Sequence, residues 1–350
     1  MHFASDNTSP VPPQVLEALI EVNHGYAMPY GADPTMTDVR DAIRKAFEAP
    51  EAAVYLVATG TAANALALAC LCPPWATVYC HPQAHIEEDE CAAPEFYTGG
   101  AKLTLVGGDD ARMDPAALER ALAFTARAGV HNVQKGALSI TNATEAGAVY
   151  APADVAALAA IARAHGLPVH MDGARFANAL VSAGCTPAEM TWKAGVDVLS
   201  FGGTKNGLMG VEAVVLFDPA RAWEFELRRK RGGHLFSKHR YLSAQMAAYL
   251  RDDLWLKLAA RANDAAARLS TGIAALEGAR LLHPTQANAV FAAWPRAGHV
   301  RAQAAGAQYY FWPMDQSLEG PGDAALSARL VCSWCTTDDE IDYFLSLLAD

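Results

Sequence analysis

Positive charge is scarce in this 350-residue chain: 27 Lys and Arg stand against 38 Asp and Glu, a net charge of −11. That balance argues against nucleic acid as a partner, because phosphate backbones are held by basic faces. The short basic run RRKR at 228–231 reads as a solvated helix face or a local anion site. No window of 18 uninterrupted apolar residues exists, so no membrane span is expected. The first ten residues, MHFASDNTSP, lack a basic segment followed by an apolar run, so no secretory signal is expected and the cytoplasm is the expected compartment. Cysteine is sparse and odd in number, seven in all, and the single CxxC at 332–335 lacks the second pair that a structural zinc site needs. It reads as packing. Neither a G-x-G-x-x-G nor a Walker A pattern occurs, which weakens a dinucleotide or ATP reading.

What is present is a rich apolar composition, 52% hydrophobic residues with 19% charged, as in a well-packed globular protein. From about residue 53 to 217, short apolar runs alternate with Ala-rich helical stretches. The runs predict strands at 53–58, 77–80, 103–106, 137–141, 168–171, 196–201 and 212–217. Asp114-Pro115 marks a helix start, and the stretch 153–166 places Val155, Leu158 and Ile161 on one face before Gly166. This alternation predicts an α/β domain built on a mostly parallel sheet. After residue 218 a long helical region, 219–277, leads into strand-like segments QANAVFAAW, AQYYFW and SARLVCSW. The expected organisation is an N-terminal segment 1–20, a large domain 21–225 and a smaller α+β domain 226–350.

In open α/β sheets ligands bind beyond the carboxyl ends of the strands, so residues there deserve the closest reading. Gly60 and Thr61 follow the first strand and open a helix, where free N–H groups suit a phosphate. After the second strand, His81, His85 and Asp89 fall at four-residue spacing. One reading makes them ligands of a metal-dependent hydrolase. The other presents the His85 ring to a planar cofactor, with Asp89 orienting it. Asp172 and Arg175 follow the fifth strand, and Lys205 follows the sixth among Gly202, Gly203 and Gly207. A carboxylate and a lysine at neighbouring strand ends are what pyridoxal phosphate requires. The lysine forms a Schiff base, and the carboxylate keeps the pyridine nitrogen protonated. The flanking glycines are read as admitting the cofactor.

The segments FASDNTSP (3–10), YGADPT (30–35), GTAAN (60–64), AHIEEDECAAPEF (84–96), HMDGARFANA (170–179), FGGTKNG (201–207) and ARLVCSW (328–334) together resemble the low-specificity L-threonine aldolases. These are fold-type I pyridoxal-phosphate enzymes, and the likeness is greatest to the bacterial branch with phenylserine-cleaving members. The resemblance implies a seven-stranded, mostly parallel sheet and retro-aldol cleavage of L-threonine, L-allo-threonine or phenylserine to glycine and an aldehyde. It implies that Lys205 binds the cofactor, Asp172 pairs with its ring nitrogen, His85 stacks on the ring and serves as base with Asp89, and Gly60 and Thr61 hold the phosphate. Ser5, Arg175 and Arg329 would take the substrate carboxylate. Tyr30 would reach a neighbouring subunit of a homodimer or homotetramer, and His131 would match a second active-site histidine. One departure stands out: the segment RKRGGHLFSK (229–238) lacks the Met-Arg of many relatives, leaving Lys238 or Arg231 as substitutes near the phosphate. The same constellation is compatible with a β-eliminating lyase or an aminotransferase. The preferred aldehyde half is not legible.

Overall fold

The computed structural model describes residues 1–349. Its main sheet contains β1 (Ala53–Val57), β2 (Ala76–Cys80), β3 (Lys102–Leu105), β4 (Gln134–Thr141), β5 (Val169–Gly173), β6 (Val198–Gly202) and β7 (Glu212–Leu216). These are the seven predicted strands, displaced at their ends by up to three residues. The order across the sheet is β1-β7-β6-β5-β4-β2-β3. Only β7 runs against the others, pairing antiparallel with both β1 and β6. Strands β2, β5, β6 and β7 are buried along their whole length, because helices cover both faces of the sheet.

The helix Gly60–Leu71 crosses one face and is itself almost wholly buried. Five of its twelve residues are alanine, which lets it lie close against the strands. A second sheet, in the order β10-β11-β9-β8, is formed by β8 (Arg280–Leu281), β9 (Ala289–Pro295), β10 (Tyr310–Phe311) and β11 (Ala325–Val331). All its pairings are antiparallel. The helix Asp338–Ala349 packs Ile341, Phe344 and Leu348 into its core.

The expected boundary at 225/226 does not coincide with the division of the cores. It falls inside the helix Ala222–Arg231. Leu242, Tyr249, Trp255 and Ala259 pack with the large-sheet core, and the smaller core begins at Ala265. The division therefore lies within the single long helix Leu254–Ala274, whose first turns serve one core and whose later turns serve the other. The N-terminal segment belongs to both as well. Phe3 is fully buried in the smaller core, while Val15 and Ala18 join the larger one.

Candidate active site

The carboxyl ends of β1, β2, β5 and β6, with the start of β7, surround a cavity of about 340 Å³. Gly60, Thr61, Asn64, His85, Glu90, Asp172, Ala174, Lys205 and Glu212 line it. Lys205 lies in a short 3-10 turn, Thr204–Asn206, directly beyond β6. Asp172 lies in β5, which pairs with β6 through Asp172 and Ser200. The carboxylate and the lysine thus stand at the ends of adjoining strands.

Asp172 is 2% exposed and fully engaged. Its Oδ1 accepts the Ala174 N–H at 3.0 Å, and its Oδ2 accepts from Asn64 Nδ2 at 2.9 Å. Asn64 Nδ2 also donates to Glu90 Oε1 at 2.9 Å. The same Glu90 oxygen accepts from His85 Nδ1 at 2.9 Å. Four residues from three helical or loop elements and one strand form a continuous chain from Asp172 to His85. The bond from Glu90 raises the His85 pKa, opposed by burial and by the Lys205 charge. With Nδ1 donating to Glu90, Nε2 is left as the basic nitrogen.

Here the structure corrects the expected partner of His85. Asp89 is exposed and meets His85 only through its backbone N–H, whereas Glu90 turns its side chain inward. The helix His85–Glu88 is a single turn, and Cys91 and Ala92 follow with φ of 50° and 59°. The helix already ends at Glu88, and Asp89 is its cap with a non-helical φ of −126°, so the helical spacing on which the assignment of Asp89 depended stops short of its side chain. His81 is not available as a ligand either. Its Nε2 contacts the Gly108 carbonyl at 3.2 Å and its Nδ1 accepts the Gln83 N–H at 3.1 Å. Among the described residues no three His, Cys, Asp or Glu side chains converge as a metal site.

At the start of the helix Gly60–Leu71, Thr59 Oγ1 takes the Ala62 N–H at 3.2 Å. The N–H groups of Gly60 and Thr61 lie ahead of it in the unbonded first turn, beside the cavity. A side chain at Gly60 would meet nothing within 4 Å, so this position is open towards an occupant. Gly202 and Gly203 have a different reason from the expected one. A Cβ on Gly202 would lie 2.3 Å from the Ala174 carbonyl oxygen, and one on Gly203 would lie 2.7 Å from that of Val211. They are glycine because backbone packs there, not to admit a ligand.

A second, narrower cleft adjoins the first beyond Ala174 and contains Glu145, Arg175, Asn288 and Arg329. Arg175 is already paired: Nε donates to Asp6 Oδ2 at 2.7 Å and Nη2 donates to Asp6 Oδ1 at 3.0 Å. Arg329 differs. Its Nε is buried with no partner among the described residues. Its guanidinium lies 5.3 Å from the Trp312 ring and 5.8 Å from that of Tyr310. Burial and the neighbouring Arg175 charge lower its pKa against the opposing pull of Glu145, Asp6 and Asp89, none of which forms an ion pair with it. Ser5 is half-buried at the start of the turn Asp6–Thr8, its Oγ accepting from Asn7 N–H at 3.2 Å.

Two expected residues stand away from this cavity. Tyr30 is 46% exposed, with φ of 60°, and the Lys230 ammonium lies 5.0 Å from its ring centre. His131 is exposed in the turn Ala126–His131 before β4, at the sheet edge opposite the strand ends described above. Lys238 and Arg231 are both exposed. Sequence reasoning missed Glu90, Asn64, Glu145 and Glu212. Of these, Glu90 carried a signal, since an acidic residue followed His85 at five positions as well as four.

The residues present fit pyridoxal phosphate. A lysine and a carboxylate occupy adjoining strand ends, an open helix N-terminus faces the same cavity, and an unpaired arginine waits next to it. The profile of the beta-eliminating lyase family matches residues 2–294. A low-specificity L-threonine aldolase of a Pseudomonas species is 41% identical over 339 residues, covering 97% of this chain and 94% of that protein. One from Pseudomonas aeruginosa is 40% identical over the same shares. The structure of a Leishmania major threonine aldolase superposes with a TM-score of 0.90 at 28% identity, covering 99% of this chain and 98% of that one.

Proposed function

The chain belongs to the low-specificity L-threonine aldolases, and from that premise we propose that it cleaves L-threonine, L-allo-threonine or a related β-hydroxy-α-amino acid to glycine and an aldehyde. The observation that supports this most directly is the placing of Lys205 and Asp172 at adjoining strand ends beside the unpaired Arg329. Lys205, Asp172 and the N–H groups of Gly60 and Thr61 would hold pyridoxal phosphate, which would supply an electron sink for the bond that breaks. The remaining work belongs to the chain. Arg329 takes the substrate carboxylate, because its guanidinium is the one in the cleft that lacks an anion. Arg175, clamped by Asp6, forms a fixed positive wall behind it. Ser5 adds a hydroxyl from the N-terminal segment. His85, facing the cavity with Glu90 behind it, would lie against the bound cofactor and take the β-hydroxyl proton at Nε2. Asp89, whose side chain is exposed, is assigned no part in that step.

Tyr30 and its surroundings support an assembly. Tyr26, Met28, Tyr30 and Phe236 are exposed large apolar side chains in two segments joined by the Tyr30 N–H to Ser237 carbonyl bond. Lys238 and Arg231 project from the same region. A homodimer, or a homotetramer made of such dimers, would bring Tyr30 and one of these cations to a partner's cavity. The seven cysteines are free, which suits a reducing compartment such as the cytoplasm. No helix among the described residues is long and apolar enough to cross a membrane.

The deciding experiment is incubation of the pyridoxal-phosphate-loaded protein with L-threonine, L-allo-threonine and phenylserine. Glycine and the matching aldehyde are expected in equal amounts. Ammonia and a keto acid instead would move the assignment to β-elimination.

A further inference from the structure

The turn that carries Lys205 is fastened on both sides. Ahead of the lysine, the Gly203 N–H donates to Glu212 Oε2 at 2.7 Å, and Thr204 Oγ1 accepts the Val211 N–H at 3.2 Å. Behind it, Asn206 Nδ2 donates to the Tyr249 hydroxyl at 2.7 Å and to the Trp255 carbonyl at 2.8 Å. The Tyr249 hydroxyl donates onward to the Gly202 carbonyl at 3.2 Å. Thr204 and Lys205 of this turn both line the cavity, and Lys205 is its charged member.

Glu212 is the unexplained member. It is the first residue of β7, 6% exposed, and lines the same cavity as Lys205. Burying an ionisable carboxyl is costly where a neutral oxygen would accept one N–H equally well. The bond to Gly203 therefore does not account for a glutamate at this place. Thr204 also bonds to this carboxylate, and the cation that acts on it is Lys205, which lines the same cavity.

We propose that Glu212 is a positioning residue for Lys205, anchoring the turn at Gly203 while its carboxylate faces the lysine side chain in the cavity that both line. This rests on the reading of Lys205 as the cofactor-binding lysine. The surroundings make the charge responsive. Burial pushes the Glu212 carboxyl up to about 7, against the pull of Thr204, Gly203 and Lys205. Tyr249, from the helix Arg240–Leu250, is the other titratable group facing it. Lys205 is itself faced by Asp6 from the N-terminal segment, by His85 and by Asp172. Those three are unchanged by a substitution at Glu212, so a difference between variants reports on Glu212.

Glu212→Gln keeps an acceptor oxygen and removes the charge, while Glu212→Ala removes both. The test starts from cofactor-free protein and follows the visible band that grows on adding pyridoxal phosphate. It then titrates that band with pH in the loaded protein. A nearby anion favours the protonated nitrogen, so Glu212→Gln should move the titration midpoint down by about one pH unit. Its melting temperature should stay close to that of the parent. Glu212→Ala should capture the cofactor about tenfold more slowly, because the turn loses its anchor. An unchanged midpoint in Glu212→Gln overturns the proposal, as does parental capture in Glu212→Ala. If Glu212→Ala fails to fold, the Glu212→Gln midpoint decides alone. A Lys205→Ala variant run in parallel separates the two levels: a band that persists there rejects the reading of Lys205 itself.

Discussion

Asp6 closes on Arg175 through two hydrogen bonds of 2.7 and 3.0 Å, so one of the two arginines in the narrower cleft is already neutralised. Asn288 Nδ2 donates to the same carboxylate at 3.0 Å and completes its shell. Asp6 is 1% exposed, and its pKa is lowered because the Arg175 charge and bonds outweigh the cost of burial. The pair is structural in origin and functional in consequence. It leaves Arg329 as the cation with affinity to spare.

Two arginine variants should therefore behave differently. Arg329→Ala should raise KM for amino acids by about 10²-fold while leaving cofactor capture intact, since a charged clamp is lost from substrate alone. Arg175→Ala should cost about 3–5 kcal/mol of stability, because it strands a buried carboxylate. Steady-state kinetics and thermal melting distinguish them. Equal melting temperatures would contradict the assignment of the Asp6 pair.

The Glu90 contact has a pH signature. The folded pKa of His85 is raised above the unfolded value of about 6.5. The stabilisation from the charged pair is therefore complete below that value and disappears as pH rises through the folded pKa. Glu90→Gln should lower the melting temperature mainly on the acid side. Where neutral His85 takes the hydroxyl proton, the acid limb of kcat/KM should move down by about one pH unit in this variant. Asp89→Asn should leave both profiles in place. A pH profile that follows Asp89 rather than Glu90 would reverse the roles.

Asp172→Asn should separate chemistry from folding. An amide retains an acceptor for the Ala174 N–H, so the expected stability loss is about 1–2 kcal/mol. Turnover should fall by about 10²-fold or more, because the charge that keeps the cofactor ring electron-poor is gone. Activity close to that of the parent would make Asp172 merely an anchor for the following loop.

The exposed Tyr30 segment predicts shared active sites. Light scattering should show at least a dimer at assay concentration, and specific activity should fall on dilution below the dissociation constant of the assembly. Tyr30→Ala should lower activity without lowering the melting point of the isolated fold. A fully active monomer would exclude a role for Tyr30 across an interface.

The strands, their mostly parallel arrangement and the placing of Lys205 and Asp172 were legible in the sequence for a local reason. Buried strands are written as short apolar runs, and in an α/β sheet chemistry collects just beyond them, so strand ends can be read in order along the chain. The partners of those residues were not legible, because they are decided between elements. Glu90 replaces Asp89 since the helix from His85 ends at Glu88 and the backbone leaves helical geometry at Asp89. Asp6 reaches Arg175 from a position 169 residues away, and Glu212 reaches Gly203 because antiparallel β7 starts beside the carboxyl end of β6, where Glu212 faces Gly202. The glycines at 202 and 203 show the same division. Their presence was visible, but their cause lies in the backbone of Ala174 and Val211, which only the packed sheet brings within a few ångströms.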